Sequence, residues 1–175
     1  MRPGFKYTAP CVAALLLLLL LAGCQPPRPD SDGYFPLSVL SKRGFARDED
    51  YLRNLDGQVI RVKGFLDFDN IAVDPELLDR PADGWDVPRD GELSHFNLKA
   101  RVSDEPGESV RVWFTGDRDR LLLLISRLRD IVEQDRRAAV IRVQARVQTF
   151  DAPMNFTRAL GFVLWGDSPQ WILVD

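Results

Sequence analysis

Between residues 59 and 165 apolar and polar side chains alternate in four runs, the pattern of half-buried strands. In Val59–Phe68, Ile60, Val62, Gly64, Leu66 and Phe68 fall on one side, with Arg61, Lys63, Phe65 and Asp67 on the other. Gly64 sits where such a strand can bend sharply. The second run sets Phe96, Leu98, Ala100 and Val102 against His95, Asn97, Lys99 and Arg101. The third is short, Val110, Val112 and Phe114 against Arg111, Trp113 and Thr115. In the fourth and cleanest, Ile141, Val143, Ala145 and Val147 alternate with Arg142, Gln144, Arg146 and Gln148. A fifth strand is predicted over Leu160–Trp165. Trp171–Val174 reads as a sixth strand or as an extension of the fifth.

The period becomes helical between the third and fourth strands. Leu121, Leu124, Ile125, Leu128, Ile131 and Val132 recur at three and four residues. This predicts an amphipathic helix lying on a core, started by Thr115 or Asp117 as its cap. Residues 33–56 hold scattered apolar groups. Within them Asp48–Leu55 predicts a short helix, with Asp48 as cap and Tyr51, Leu52 and Leu55 on one face.

The first residues follow a different plan. Arg2 and Lys6 give a cationic start, and Cys11–Ala22 is an apolar run containing seven leucines, Leu15 to Leu21. The run is shorter than the roughly 20 apolar residues of a membrane-spanning helix; it has the marks of a secretory signal. It ends Leu21-Ala22-Gly23-Cys24. This resembles the bacterial lipobox, which implies cleavage before Cys24 and lipid on that cysteine. The alternative is an ordinary cleaved signal with an incidental cysteine. Cys11 lies in the segment to be removed, so acylation of Cys24 would leave no free thiol, no disulfide and no cysteine metal site. Residues 25–32, polar and proline-rich, read as an extended tether. Under the sorting rule of enteric bacteria, Gln25 in the second mature position slightly favours the outer membrane.

The order strand, strand, strand, helix, strand, strand resembles an OB-fold, a five-stranded Greek-key barrel with one helix between strands three and four. Gly57-Gln58-Val59-Ile60-Arg61-Val62-Lys63-Gly64 looks like the opening strand of such domains, and Val140–Val147 stands where their fourth strand follows the helix. The expected organisation is therefore a mainly β protein: signal peptide 1–23, lipidated tether 24–32, N-terminal extension with a short helix 33–56, and OB-fold-like domain 57–175. The connection from Asp69 to Leu93 is long for a compact domain.

The resemblance implies that ligands meet strands two and three and the loops joining strands one to two and four to five. The outward side of those strands carries His95, Lys99, Arg101, Arg111 and Trp113, flanked by Arg61 and Lys63 on strand one. Cations around an aromatic ring suit an anionic chain, through charge and stacking. An exposed strand face is polar whatever it does, so an ordinary solvated surface accounts for the same cations. Trp113 fits that account least well, unless it packs under the long loop. From Asp69 to Glu92 that loop carries eight acids against Arg80 and Arg89. Folded back, it would satisfy the basic strands internally and gate them against weak anionic ligands. Asp67, Asp69, Asn70 and Asp74 invite a calcium reading, but the glycine and terminal glutamate of an EF-hand loop are missing. Residues 151–157 join strands four and five, and Met154 and Phe156 there are a candidate partner contact or a cover for the barrel mouth.

Net charge is −3 overall and −5 once Arg2 and Lys6 are removed, which argues against a generic nucleic-acid binder. There is one histidine, with no Gly-rich phosphate loop and no nucleophile elbow. The expectation is a non-catalytic binding or adaptor module without cofactor or metal. It would be lipid-anchored on the periplasmic side of a bacterial envelope and contact an envelope protein or glycan. The alternative is binding of single-stranded nucleic acid or another polyanion through the basic face.

Overall fold

The computed structural model describes residues 29–40, 49–78, 83–104, 109–154 and 157–175, with backbone alone for 152–154 and 157–161. Cys24, Asp48 and Phe156 lie outside the described residues. The strands are β1 (Phe35–Pro36), β2 (Val59–Ala72), β3 (His95–Lys99), β4 (Ser109–Phe114), β5 (Val140–Met154), β6 (Thr157–Gly166) and β7 (Ile172–Val174). The helices are α1 (Glu49–Leu55) and α2 (Arg118–Glu133). All seven strands join one sheet in the order β1-β2-β3-β4-β6-β5-β7, and β2 also pairs with β5. That extra pairing closes β2, β3, β4, β6 and β5 into a five-stranded barrel, with α2 between β4 and β5. The fold is OB-fold-like, as the order of elements predicted. The tail is a separate strand, because β7 pairs antiparallel with β5.

Alternation decides the core. Val62, Leu66, Phe96, Leu98, Val110, Val112, Phe114, Ile141, Val143, Ala145, Val147 and Leu164 are all buried and belong to one cluster. One face of α2 closes it with Leu121, Leu124, Ile125, Leu128 and Ile131. Asp117 caps this helix, accepting from the backbone N–H groups of Asp119 and Arg120, two of the donors that a helix start leaves unpaired. The helix stops where Asp135 adopts a left-handed φ of 49°, a conformation that Asp tolerates better than most residues.

β2 serves both neighbours. Val59–Phe65 pair with β5, and Phe65–Ala72 pair with β3 through a register shift between Asp67 and Ile71. Such bulges bend and twist a strand. Gly64 lies at the changeover, where an added Cβ would stand 2.7 Å from the Lys99 carbonyl oxygen. The bulge also ends the alternation early: Phe68 is a partly buried group at the core margin, and Ile71 and Val73 take the inward places.

The N-terminal segment is strapped to this strand. In a turn with Gly33 at φ 82°, one Asp30 carboxylate oxygen accepts from the N–H groups of Asp32 (3.0 Å) and Tyr34 (2.8 Å). The other oxygen meets Lys63 Nζ at 2.6 Å. β1 then pairs parallel with Val62 and Lys63, and the buried Leu37 packs against Gly64. These bonds, the Lys63 bond foremost, hold the Asp30 carboxyl at about 2.

Three expectations need correction. The second strand ends at Lys99; Ala100–Asp104 turn away, with the Arg101 N–H donating to Asp104 Oδ2 at 2.7 Å. Arg101 and Val102 are therefore exposed turn residues, off the sheet. Residues 151–157 are mostly strand: β5 runs to Met154, which pairs with Thr157 of β6, so ladder bonding replaces the expected loop. The connection after Asp69 begins as strand through Ala72, and Asp86 later bridges back to Ala72.

Candidate functional site

The outward side of β3 and β4 is built as rungs. His95 lies opposite Trp113, Asn97 opposite Arg111, and Lys99 opposite Ser109. β6 joins parallel to β4 and places Trp165 beside Trp113. The two indoles meet edge to face, centroids 4.5 Å apart at 71°, a favoured geometry for aromatic pairs. Trp165 Nε1 donates to Gln148, and Arg146 lies opposite Trp165 on β5. The rung His95–Trp113–Trp165–Arg146 thus crosses four strands. Trp113 Nε1 and Asn97 Oδ1 are buried without a hydrogen-bond partner among the described residues. An unmade bond of this kind costs about 1–3 kcal/mol.

The cations do not form one open patch. Lys99 Nζ stands 3.5 Å from the carboxylate of Asp67, which is 0% exposed and also accepts from Asn70 Nδ2 at 2.7 Å. Arg111 meets Glu92 at 3.6 Å. Lys63 is taken by Asp30. Arg61 stacks near Tyr34, 5.9 Å from its centroid, and donates to Gln144 at 2.9 Å. Arg61 and Lys63 thus belong to the strap side of β2, opposite Gln144 and Arg142 of β5, while Arg111 and Trp113 lie on the rungs opposite Asn97 and His95. His95 is on the outward side but only 6% exposed. Its Nδ1 donates to the Leu93 carbonyl at 3.1 Å, and burial pushes its pKa below the ordinary imidazole value.

Among its described residues the acidic connection does not lie across the strands as a sheet of charge. In its described part Trp85 sits 6.0 Å below the Arg129 guanidinium of α2, and Arg118 of α2 donates to the Glu76 carbonyl at 2.8 Å. The connection docks on α2 and the barrel end, and Glu92 is its one ion pair to a β3 or β4 cation among the described residues. Asp74 accepts from the Glu76 N–H at 2.9 Å and caps a short turn. Asp67 and Asp74 are therefore committed to separate bonds. Between this connection and the start of α2 lies a cleft of about 520 Å³, lined by Asp74, Glu76, Asp90, Ser94, Thr115 and Arg118 among others.

Arg146, Gln148, Trp165 and the cleft were not among the sequence candidates. Arg146, Gln148 and Trp165 lie in predicted strands, but only the parallel β4–β6 pairing and its neighbour β5 bring them beside Trp113. No protein-family model and no curated protein matches the chain. A solved structure with some similarity, assigned as an aspartyl-tRNA synthetase from Leishmania major Friedlin, has a TM-score of 0.38 and 11% identity. The match covers 93% of this chain and 26% of that one.

Proposed function

We propose that the chain is a bacterial envelope lipoprotein, anchored by lipid on Cys24, whose OB-fold-like barrel is a non-catalytic binding or adaptor module for an envelope protein or glycan. One observation carries the choice of a neutral or protein partner over a polyanion. Three of the four Lys and Arg side chains facing outward from β2, β3 and β4 already have carboxylate partners, Lys63 with Asp30, Lys99 with Asp67 and Arg111 with Glu92, and the fourth, Arg61, is held by Gln144. A polyanion would have to displace these acids before it gained the same cations. The leader and the Leu21–Cys24 motif support the anchor and the periplasmic side, with the outer membrane favoured by Gln25.

A second reading keeps its place because of Trp113 and Trp165. An indole pair bordered by Arg111 and Arg146 offers stacking to a single-stranded nucleic acid, where each stacked base is worth about 1–3 kcal/mol. Salt decides between the two. Phosphate contacts make affinity fall steeply as salt rises. The purified protein, titrated with single-stranded DNA at low salt, is expected not to bind; tight, salt-sensitive binding would reverse the order of the readings. Crosslinking of the lipidated protein in its own envelope, followed by identification of what it touches, tests the adaptor reading. Mass spectrometry of the mature N-terminus tests the anchor: diacylglycerol on Cys24 is expected, and cleavage elsewhere would remove it.

A further inference from the structure

The anchor proposed at Cys24 has a geometric consequence. Five residues, Gln25-Pro26-Pro27-Arg28-Pro29, separate it from Asp30. Fully extended they span at most about 20 Å. Asp30 is not free to extend that reach, because it is clamped to Lys63 and β1 is zipped to β2. The strap side of the barrel must then lie near the lipid.

Two elements separate this side from the cleft. β2 runs from Lys63 at the strap to Ala72, just before Asp74 in the cleft wall. α2 starts at the cleft with Arg118 and runs 16 residues, about 24 Å. Just past its end Arg136 donates to the Asp175 carbonyl at 2.8 Å. Asp175 meets Arg142 at 2.6 Å, and Arg142 in turn approaches Asp32 of the strap at 3.8 Å. The end of α2 and the strap therefore share one side of the molecule, with the cleft a helix length away.

The two sides differ in charge. On the strap side Lys63 matches Asp30, Arg142 is shared by Asp32 and Asp175, and Arg137 pairs with Asp135, so the charges there come close to balance, and the exposed Arg61 donates to the neutral Gln144 oxygen. Leu173, 43% exposed, lies opposite Arg142 on β7. Around the cleft Asp74, Glu76, Asp86, Asp90, Asp117 and Asp119 outnumber Arg89, Arg118 and Arg120. An anionic bilayer attracts a nearby Lys or Arg by about 1 kcal/mol each and repels carboxylates.

We propose, resting on the anchor at Cys24, that the strap side of the barrel, with Arg61 and Leu173, contacts anionic phospholipid headgroups and turns the acidic cleft away from the membrane. The lipid and the short strap set the distance, and the charge asymmetry sets the orientation.

With Cys24 acylated and Cys11 removed with the leader, Leu173→Cys and Val87→Cys each hold one reactive thiol. Val87 is 65% exposed and lines the cleft. The full lipidated chain is placed in vesicles of phosphatidylethanolamine and phosphatidylglycerol, and a fluorophore on each thiol is quenched from spin-labelled headgroups. Several-fold stronger quenching at position 173 than at 87 is expected. Inserting a flexible linker of about 20 residues before Asp30, or replacing the anionic lipid with phosphatidylcholine, should shrink that ratio. Equal quenching in a chain whose mass confirms the lipid overturns the orientation alone. A chain without lipid on Cys24 overturns the anchor and the orientation with it.

Discussion

Replacing Gly64 by alanine tests the packing at the point where β2 passes from β5 to β3. The added Cβ would stand 2.7 Å from the Lys99 carbonyl oxygen and 3.3 Å from Leu37 Cδ2. Relaxed carbon–oxygen contacts lie at about 3.3–3.6 Å, so the carbonyl must retreat by more than half an ångström on that scale. Lys99 is held on both sides, paired with Phe65 in one ladder and with Ser109 in the other. Leu37, 0% exposed, has nowhere to move. Overpacking of this kind costs about 1–3 kcal/mol. Against it stands the lower chain entropy of alanine in the unfolded state, about 0.4–1 kcal/mol. The balance is a loss of about 1–2 kcal/mol, or a fall in Tm of roughly 2–8 °C for a domain of this size. Urea unfolding followed by circular dichroism should show a lower midpoint at unchanged slope. A midpoint equal to or above the parent would refute the reasoning, because it would mean that the wall formed by Lys99 and Leu37 yields freely.

Other perturbations separate capping and titration effects. Asp117→Ala removes the side chain that accepts from Asp119 and Arg120 and should cost about 1 kcal/mol; Asp117→Asn should restore most of it in the same urea assay. Asp30 favours its ionised form in the folded state, so its contribution is complete above the ordinary carboxylate value of 3.8 and is lost as pH falls through about 2. Asp30→Asn should flatten the acid limb of the pH–stability curve, and an unaltered limb would contradict the clamp. His95 is pushed down by burial, so the folded state disfavours its proton while the unfolded chain takes one near 6.5. Stability should therefore be independent of this group above that pH and decline below it, and His95→Gln should remove that part of the slope in pH-dependent thermal melts.

The barrel was legible because its signal is local. Ile141, Val143, Ala145 and Val147 must face one way if their polar neighbours face the other, and the structure buries all four. The helix face from Leu121 to Ile131 is local in the same sense. The alternation places Arg101 on the strand because it continues through Ala100 and Val102 past the end of the ladder; nothing local marks where β3 loses its partners at Lys99. Residues 151–157 contain the turn-forming types Asp151, Pro153 and Asn155, yet pairing with β6 carries β5 through Met154.

Alternation alone assigned each outward side chain to a face, including Arg61, Lys63, Lys99, Arg111 and Trp113. Which groups stand beside them was decided by closure of the barrel. The β4–β6 pairing sets Trp165 against Trp113, the β2–β3 ladder and its bulge bury Asp67 beside Lys99, and the docking of the long connection brings Glu92 to Arg111. The physical reason is that a period of two fixes the direction of a side chain relative to its own strand, whereas charge neutralisation depends on distances between strands far apart in the chain. The basic face is therefore written in the sequence, and its internal compensation exists only in the folded barrel.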